Sequence, residues 1–244
     1  MLKWLRTTFS LWYLLACVCS LSAQSSSQAP ARPDLSQEAF IFEQISTKVT
    51  FENDGTSERE TSVRARIQSE AGVQRFGLLT FSYQAALEDL EIPYVRVRKP
   101  DGATVLTPAD GVQDMASQIT REAPLYSDLR EKHVAVKGLG VGDVVEYSSV
   151  WHLNKPLAPG QFWYAYNFMR DGIVLQEELA ISVPSERKVT VKSSVVKPVL
   201  SESGKYRVYT WTTSNLEQKP KGARRKSRPC SASSTAACTR WART

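Results

Sequence analysis

Residues 45–67 read ISTKVTFENDGTSERETSVRARI. Ile45, Thr47, Val49 and Phe51 recur at every second position, so they share one face of an extended strand. Asn53-Asp54-Gly55 carries turn chemistry. Thr61, Val63, Ala65 and Ile67 then alternate again, with Arg64, Arg66 and Gln68 on the opposite side. The two runs predict an antiparallel hairpin with one apolar face.

The same period continues outward from this hairpin. Glu70-Ala71-Gly72 reads as a turn into Phe76–Tyr83, where Leu79, Phe81 and Tyr83 alternate. Tyr94–Arg98 is a short strand closed by Pro100-Asp101-Gly102, and Thr104–Leu106 pairs back across it. Strands follow at His133–Val136 and Val144–Leu153, the latter with Val145, Tyr147 and Trp151 on one face. Phe162, Tyr164, Tyr166 and Phe168 alternate, as do Leu175, Glu177, Leu179, Ile181 and Val183. Val189 with Val191, and Tyr206, Val208 and Thr210, complete the series. Thr107–Arg130 is irregular, and so long a connection implies a function or a hidden short helix. About ten or eleven short strands with no sustained helical period predict an all-β, antiparallel, sandwich-like single domain over residues 37–218.

The ends differ from this body. Lys3 and Arg6 precede an apolar stretch, Phe9–Leu21, and Leu21-Ser22-Ala23 suits cleavage before Gln24, so residues 1–23 read as a secretory signal. That stretch is shorter than the roughly 20 residues that span a bilayer. The mature chain is therefore expected to lack a transmembrane helix and to reach the periplasm or beyond. Lipidation at Cys17 is the alternative. Residues 24–36, rich in Ser, Gln, Ala and Pro, read as a flexible leader. Residues 219–244 are basic and poor in large apolar side chains, and are expected to be disordered. Acids stop at Glu217 while Arg, Ala, Ser and Cys dominate, which is the look of a truncated or frame-shifted end; a natural tail for an anionic surface is the alternative.

The net charge of +6 sits on those ends. The signal and the tail hold ten of the 31 basic residues and no acid, leaving 21 basic against 25 acidic in the body. A nucleic-acid footprint needs basic residues gathered on a folded face, and none is expected here.

Catalytic signals are weak. Cys17, Cys19, Cys230 and Cys238 all lie outside the body, which therefore offers no thiol nucleophile. His133 and His152 are too few for a metal site without clustered Cys or carboxylates. Gly138-Leu139-Gly140-Val141-Gly142-Asp143 is followed by a β-run rather than a helix and so reads as a turn, not a phosphate loop. Glu177 and Glu178 are adjacent on a strand and point to opposite faces, so they cannot converge as a hydrolytic pair. No catalytic, metal or cofactor residues are expected. The aromatic run reads first as core, with Trp163 turned the other way as a docking side chain. Asp128-Leu129-Arg130-Glu131-Lys132 is a solvated charge run or a local ion pair fixing the loop. Trp163, Asp128 and Arg130 form the candidate interaction surface.

Taken in order, several segments resemble one family: Asn53-Asp54-Gly55, Glu70-Ala71-Gly72, Lys99-Pro100-Asp101-Gly102, Tyr126–Lys132 and Gly138–Tyr147. Their order and spacing are similar to the exported bacterial domain of unknown function 3857, over Ala39–Ser214. The resemblance implies a β-sandwich-like unit that usually precedes a transglutaminase-like core working through Cys, His and Asp. No such core follows Gln218, and the resembling domain has no catalytic residues to carry over. The resemblance implies a non-catalytic accessory domain that positions such a unit or binds its peptide or glycan substrate. A stand-alone carboxylate- or histidine-dependent hydrolase, or a non-functional truncated fragment, are the alternatives.

Overall fold

In a computed structural model, residues 34–125, 127–193, 196–216 and 239–242 are described. The opening hairpin forms as the alternation dictates. Strand β1 (Phe40–Phe51) pairs antiparallel with β2 (Ser57–Ile67), with Thr47 opposite Thr61 and Val49 opposite Arg59. Gly55 closes the turn at φ +91°, and a Cβ there would lie 2.7 Å from the Gln161 carbonyl oxygen, so only glycine fits. Ile45, Thr47, Val49 and Phe51 are between 2% and 6% exposed, which confirms their common inward face.

The remaining elements in chain order begin with helix α1 (Glu70–Phe76), β3 (Leu78–Gln84), β4 (Glu88–Arg98) and β5 (Thr104–Leu106). Next come β6 (Val112–Ala116), helix α2 (Gln118–Glu122), β7 (Leu129–Ala135) and β8 (Val144–Leu153). The chain then forms β9 (Ala165–Tyr166), β10 (Val174–Pro184), β11 (Thr190–Lys192), β12 (Val199–Ser203), β13 (Tyr206–Asn215) and β14 (Thr239–Ala242). An eight-stranded sheet runs in the order β12-β13-β10-β1-β2-β8-β4-β5. Two three-stranded sheets accompany it, β3-β7-β6 and β11-β14-β9. The all-β, antiparallel-dominated, sandwich-like reading holds, and Thr104–Leu106 pairs back across β4 as expected.

The core lies on one face of the large sheet, in two main clusters. The first joins Ala65, Ile67, Val95 and Val145 of that sheet to Leu79, Phe81, Tyr83 and Val134 of the small β3-β7-β6 sheet. The second joins Val49, Phe51, Leu179, Ile181, Val183 and Trp211 to Phe162 and Phe168. The alternating aromatics Phe162, Tyr164, Tyr166 and Phe168 therefore do form core. They do so mainly as an extended covering segment, in which only Ala165–Tyr166 pairs as a strand.

Several local expectations change. The β1–β10 pair is parallel, with Thr47 opposite Leu179 and Val49 opposite Ile181, inside an otherwise antiparallel sheet. Glu70–Phe76 is a helix rather than a turn, held where Gly72 meets the chain: a Cβ there would sit 2.4 Å from the Ala39 carbonyl oxygen. Leu175 is exposed although it shares parity with Leu179, because the register of β10 shifts between Val174 and Glu177 and turns Val174 inward instead. Strand β4 begins six residues earlier than Tyr94, passing Pro93 at a register shift between Glu91 and Tyr94. The long connection 107–130 hides β6, the helix α2 and a 3₁₀ turn at Ala109–Gly111. The signal, almost all of the leader, and the tail apart from β14 lie outside the described residues. Among the described residues no helix is long and apolar enough to cross a membrane.

Candidate functional site

Alternation that buries one face of the large sheet exposes the other. There β1 presents Gln44, Ser46 and Lys48, β2 presents Ser62, Arg64 and Arg66, β4 presents Tyr94, Arg96 and Arg98, and β8 presents Glu146 and Ser148. Register sets Arg64, Glu146 and Arg96 side by side across three strands. Arg64 Nε donates to Glu146 Oε1 at 2.9 Å, Arg96 Nε donates to Oε2 at 2.6 Å, and Arg98 Nη2 lies 3.2 Å from Oε1. The carboxylate is only 3% exposed. Burial works to raise its pKa, but the hydrogen bonds and charges of Arg96 and Arg64 outweigh burial and hold it below the ordinary glutamate range. Beside it, Arg66 Nε donates to Glu43 Oε1 at 2.8 Å.

These side chains bound a depression of about 270 Å³, lined by Gln44, Ser46, Lys48, Ser62, Arg64, Tyr94, Arg96 and Glu146 among others. Lys48, Arg64, Arg66, Arg96 and Arg98 share this face with the acids Glu58, Glu60 and Glu146, and Glu60 stands directly opposite Lys48. Composition gives the charge total but not which of these residues meet. One signal was present in the sequence, since Arg64/Arg66 and Arg96/Arg98 repeat the same Arg-x-Arg spacing on alternating strands.

On the core face a second carboxylate is buried. Glu177 accepts from the Tyr166 hydroxyl at 2.8 Å and from the Met169 amide at 2.9 Å. Burial pushes its carboxyl above the usual range, and the Tyr166 hydroxyl is pushed up as well, by burial and by the Glu177 charge. The arrangement ties the aromatic covering segment to β10. Glu178 is only half-buried, as adjacent strand residues must diverge.

Trp163 is 51% exposed on the covering segment over the second core cluster. Asp128 and Arg130 lie beside the β3-β7-β6 sheet, which covers the first cluster. Asp128 Oδ2 accepts the Ala86 amide at 2.7 Å, pinning the β3–β4 turn. Arg130 Nε donates to Asp114 Oδ1 at 2.9 Å, and Asp114 also accepts the Tyr83 hydroxyl at 2.7 Å. The charge run thus engages in local ion pairs, Arg130 and Lys132 both reaching Asp114.

His133 and His152 stand on different sheets, on β7 and β8. His133 Nε2 is 2.9 Å from Glu131 Oε2, and His152 Nδ1 is 3.5 Å from Glu58 Oε2. Thr80 and Ser82 lie opposite His133 and Glu131 across β3, yet neither hydroxyl bonds the imidazole among the described residues. The glycine-rich segment is a turn, with the Gly140 amide donating to Asp143 Oδ2 at 2.7 Å and Lys99 Nζ 2.7 Å from the same oxygen. Among the described residues no group of three or more His, Cys, Asp or Glu could hold a metal ion.

The model of DUF3857, a domain of unknown function with a solved structure, matches residues 53–220. No curated protein is significantly similar in sequence. Among solved structures, a candidate protease from Parabacteroides distasonis ATCC 8503 superposes with a TM-score of 0.72 at 21% identity, over 84% of this chain and 40% of that one. An M1 zinc metallopeptidase from Deinococcus radiodurans superposes with a TM-score of 0.39 at 8% identity, over 72% of this chain and 39% of the other. This chain therefore spans less than half the length of either structure.

Proposed function

The chain belongs to the DUF3857 family, and from that premise we propose that it is an exported, non-catalytic accessory domain. It positions a transglutaminase- or peptidase-like catalytic unit, or binds that unit's peptide or glycan substrate. One observation carries this reading: the fold corresponds to 40% of the length of a candidate protease, so the same architecture sits within a larger chain there. The depression on the open sheet face supports the binding side of this reading, being lined by donors and charges suited to holding a ligand.

The competing reading is a hydrolase built on the His133–Glu131 pair, which has two hydroxyls opposite it on β3. Incubation of the purified chain with peptide, ester and glycan panels separates the two. The accessory reading expects no turnover. Turnover that disappears in His133→Ala or His152→Ala would overturn it.

A further inference from the structure

The cations on the open sheet face are not fully engaged by the acids around them. Arg64 and Arg96 each use Nε on Glu146, and their terminal Nη groups donate to no described residue. A guanidinium has five N–H donors in a planar fork, so most of each fork stays available. Both side chains remain about two-fifths exposed, at 41% and 39%. Lys48, exposed on the neighbouring strand, forms no ion pair among the described residues. Three cations thus line the depression against one lining acid, Glu146, with Glu43 3.9 Å from Arg64 Nε and Glu60 opposite Lys48 at its edge.

We propose that this depression is a binding site for a carboxylate side chain of an acidic peptide. The charge surplus calls for an anion. The unengaged forks of Arg64 and Arg96 match a planar carboxylate, which accepts two parallel hydrogen bonds from one guanidinium. At about 270 Å³ the depression takes a side-chain-sized group rather than a polymer tract. The anion must come from outside this chain's terminal segments, because residues 1–33 and 218–244 contain no Asp or Glu. A nucleic acid fits poorly. The one aromatic in the lining, Tyr94, has the Arg96 guanidinium 4.9 Å from its ring centroid, so the covered ring face offers no platform for base stacking. The choice of a peptide over another carboxylate rests on the accessory reading above; the anion site itself does not.

The test is fluorescence anisotropy of the full chain with a labelled peptide carrying two glutamates, against the same peptide with glutamines. Saturable binding of the acidic peptide only, weakening as salt rises, is expected. Lys48→Gln should weaken it roughly threefold and Lys48→Glu about tenfold, as loss and reversal of an exposed charge. Lys48 is exposed and forms no ion pair among the described residues, but Glu60 stands opposite it across the strand pair. Folding of both variants is therefore checked by circular dichroism, and Lys48→Gln, which adds no like charge, carries the comparison. Lys137→Gln, on an exposed turn away from the lining, should change nothing. Arg96→Gln should abolish binding. Absence of saturable binding, equal binding of the glutamine peptide, or indifference to Lys48→Glu would overturn the proposal. So would tighter binding of an oligouronate, inorganic phosphate or an oligonucleotide of equal charge. Because the readout is binding, turnover in the substrate panels would overturn the accessory reading while leaving this result standing.

Discussion

Trp211 is the side chain whose loss should cost the domain most. It lies on β13, fully buried, opposite Leu179 in register and packed in the cluster of Val49, Phe51, Ile181 and Val183. An aromatic side chain buries about 150–250 Å², and at about 25 cal/mol per Å² that is worth roughly 4–6 kcal/mol. Trp→Ala substitutions in cores cost about 3–5 kcal/mol, cavity included. We therefore expect Trp211→Ala to lose about 4 kcal/mol. For a domain of this size that corresponds to a Tm lower by roughly 8–16 °C. Trp151, which the alternation puts on one face with Val145 and Tyr147, is less completely buried. It packs edge-on to Phe81 at 6.3 Å, lies under the Arg59 guanidinium at 4.1 Å, and donates to the Ser82 carbonyl at 3.2 Å. With part of its ring left at the surface, Trp151→Ala should cost less, about 2–3 kcal/mol. Urea denaturation followed by far-UV circular dichroism, with unchanged m-values, gives both numbers on one scale. A Trp211→Ala cost below about 1 kcal/mol, or a larger cost for Trp151→Ala, would refute the assignment of the core.

Glu177 has a raised folded-state pKa, so its contribution to stability is fully present below the ordinary glutamate range and is lost as pH rises through the raised value. Glu177→Gln should flatten that limb of the stability–pH curve, and superimposable curves for the two proteins would show the carboxyl to be uninvolved. Asp114 is held low by the Tyr83 and Arg130 hydrogen bonds against the opposing effect of burial, so it stabilises above the ordinary aspartate range and loses this as pH falls through the lowered value. Asp114→Asn should therefore cost about 1 kcal/mol near neutral pH and nothing in strong acid, as read by chemical denaturation at the two pH values. Gly72→Ala should cost at least about 2 kcal/mol, because the new Cβ meets backbone. Gly102→Ala, at φ +90° with open space around it, should cost only about 1 kcal/mol of backbone strain, and a reversed order in thermal melts would contradict the packing at Gly72.

Alternation is a local property, and what depends on it alone was legible in the chain. The inward set Ile45, Thr47, Val49, Phe51, the β1–β2 hairpin across Asn53-Asp54-Gly55 and the return of Thr104–Leu106 onto β4 need only period two and turn chemistry. The order of turn motifs along the chain was enough to place it in its family. Features that depend on which strand lies beside which were not legible. No local pattern tells that β1 meets β10 in parallel, or that one extra residue before Glu177 turns Leu175 outward. The same holds for the site. Trp163, Asp128 and Arg130 are conspicuous in the sequence, and the structure puts Arg130 on β7 and Trp163 just before β9, strands of different sheets. Arg64, Arg96 and Glu146 are unremarkable singly, and Glu146 lies 82 and 50 residues along the chain from Arg64 and Arg96, two of the three arginines it meets. Strand alternation decides which face a side chain takes, whereas only the register of non-local pairing decides its neighbours, and the charged depression is made by register.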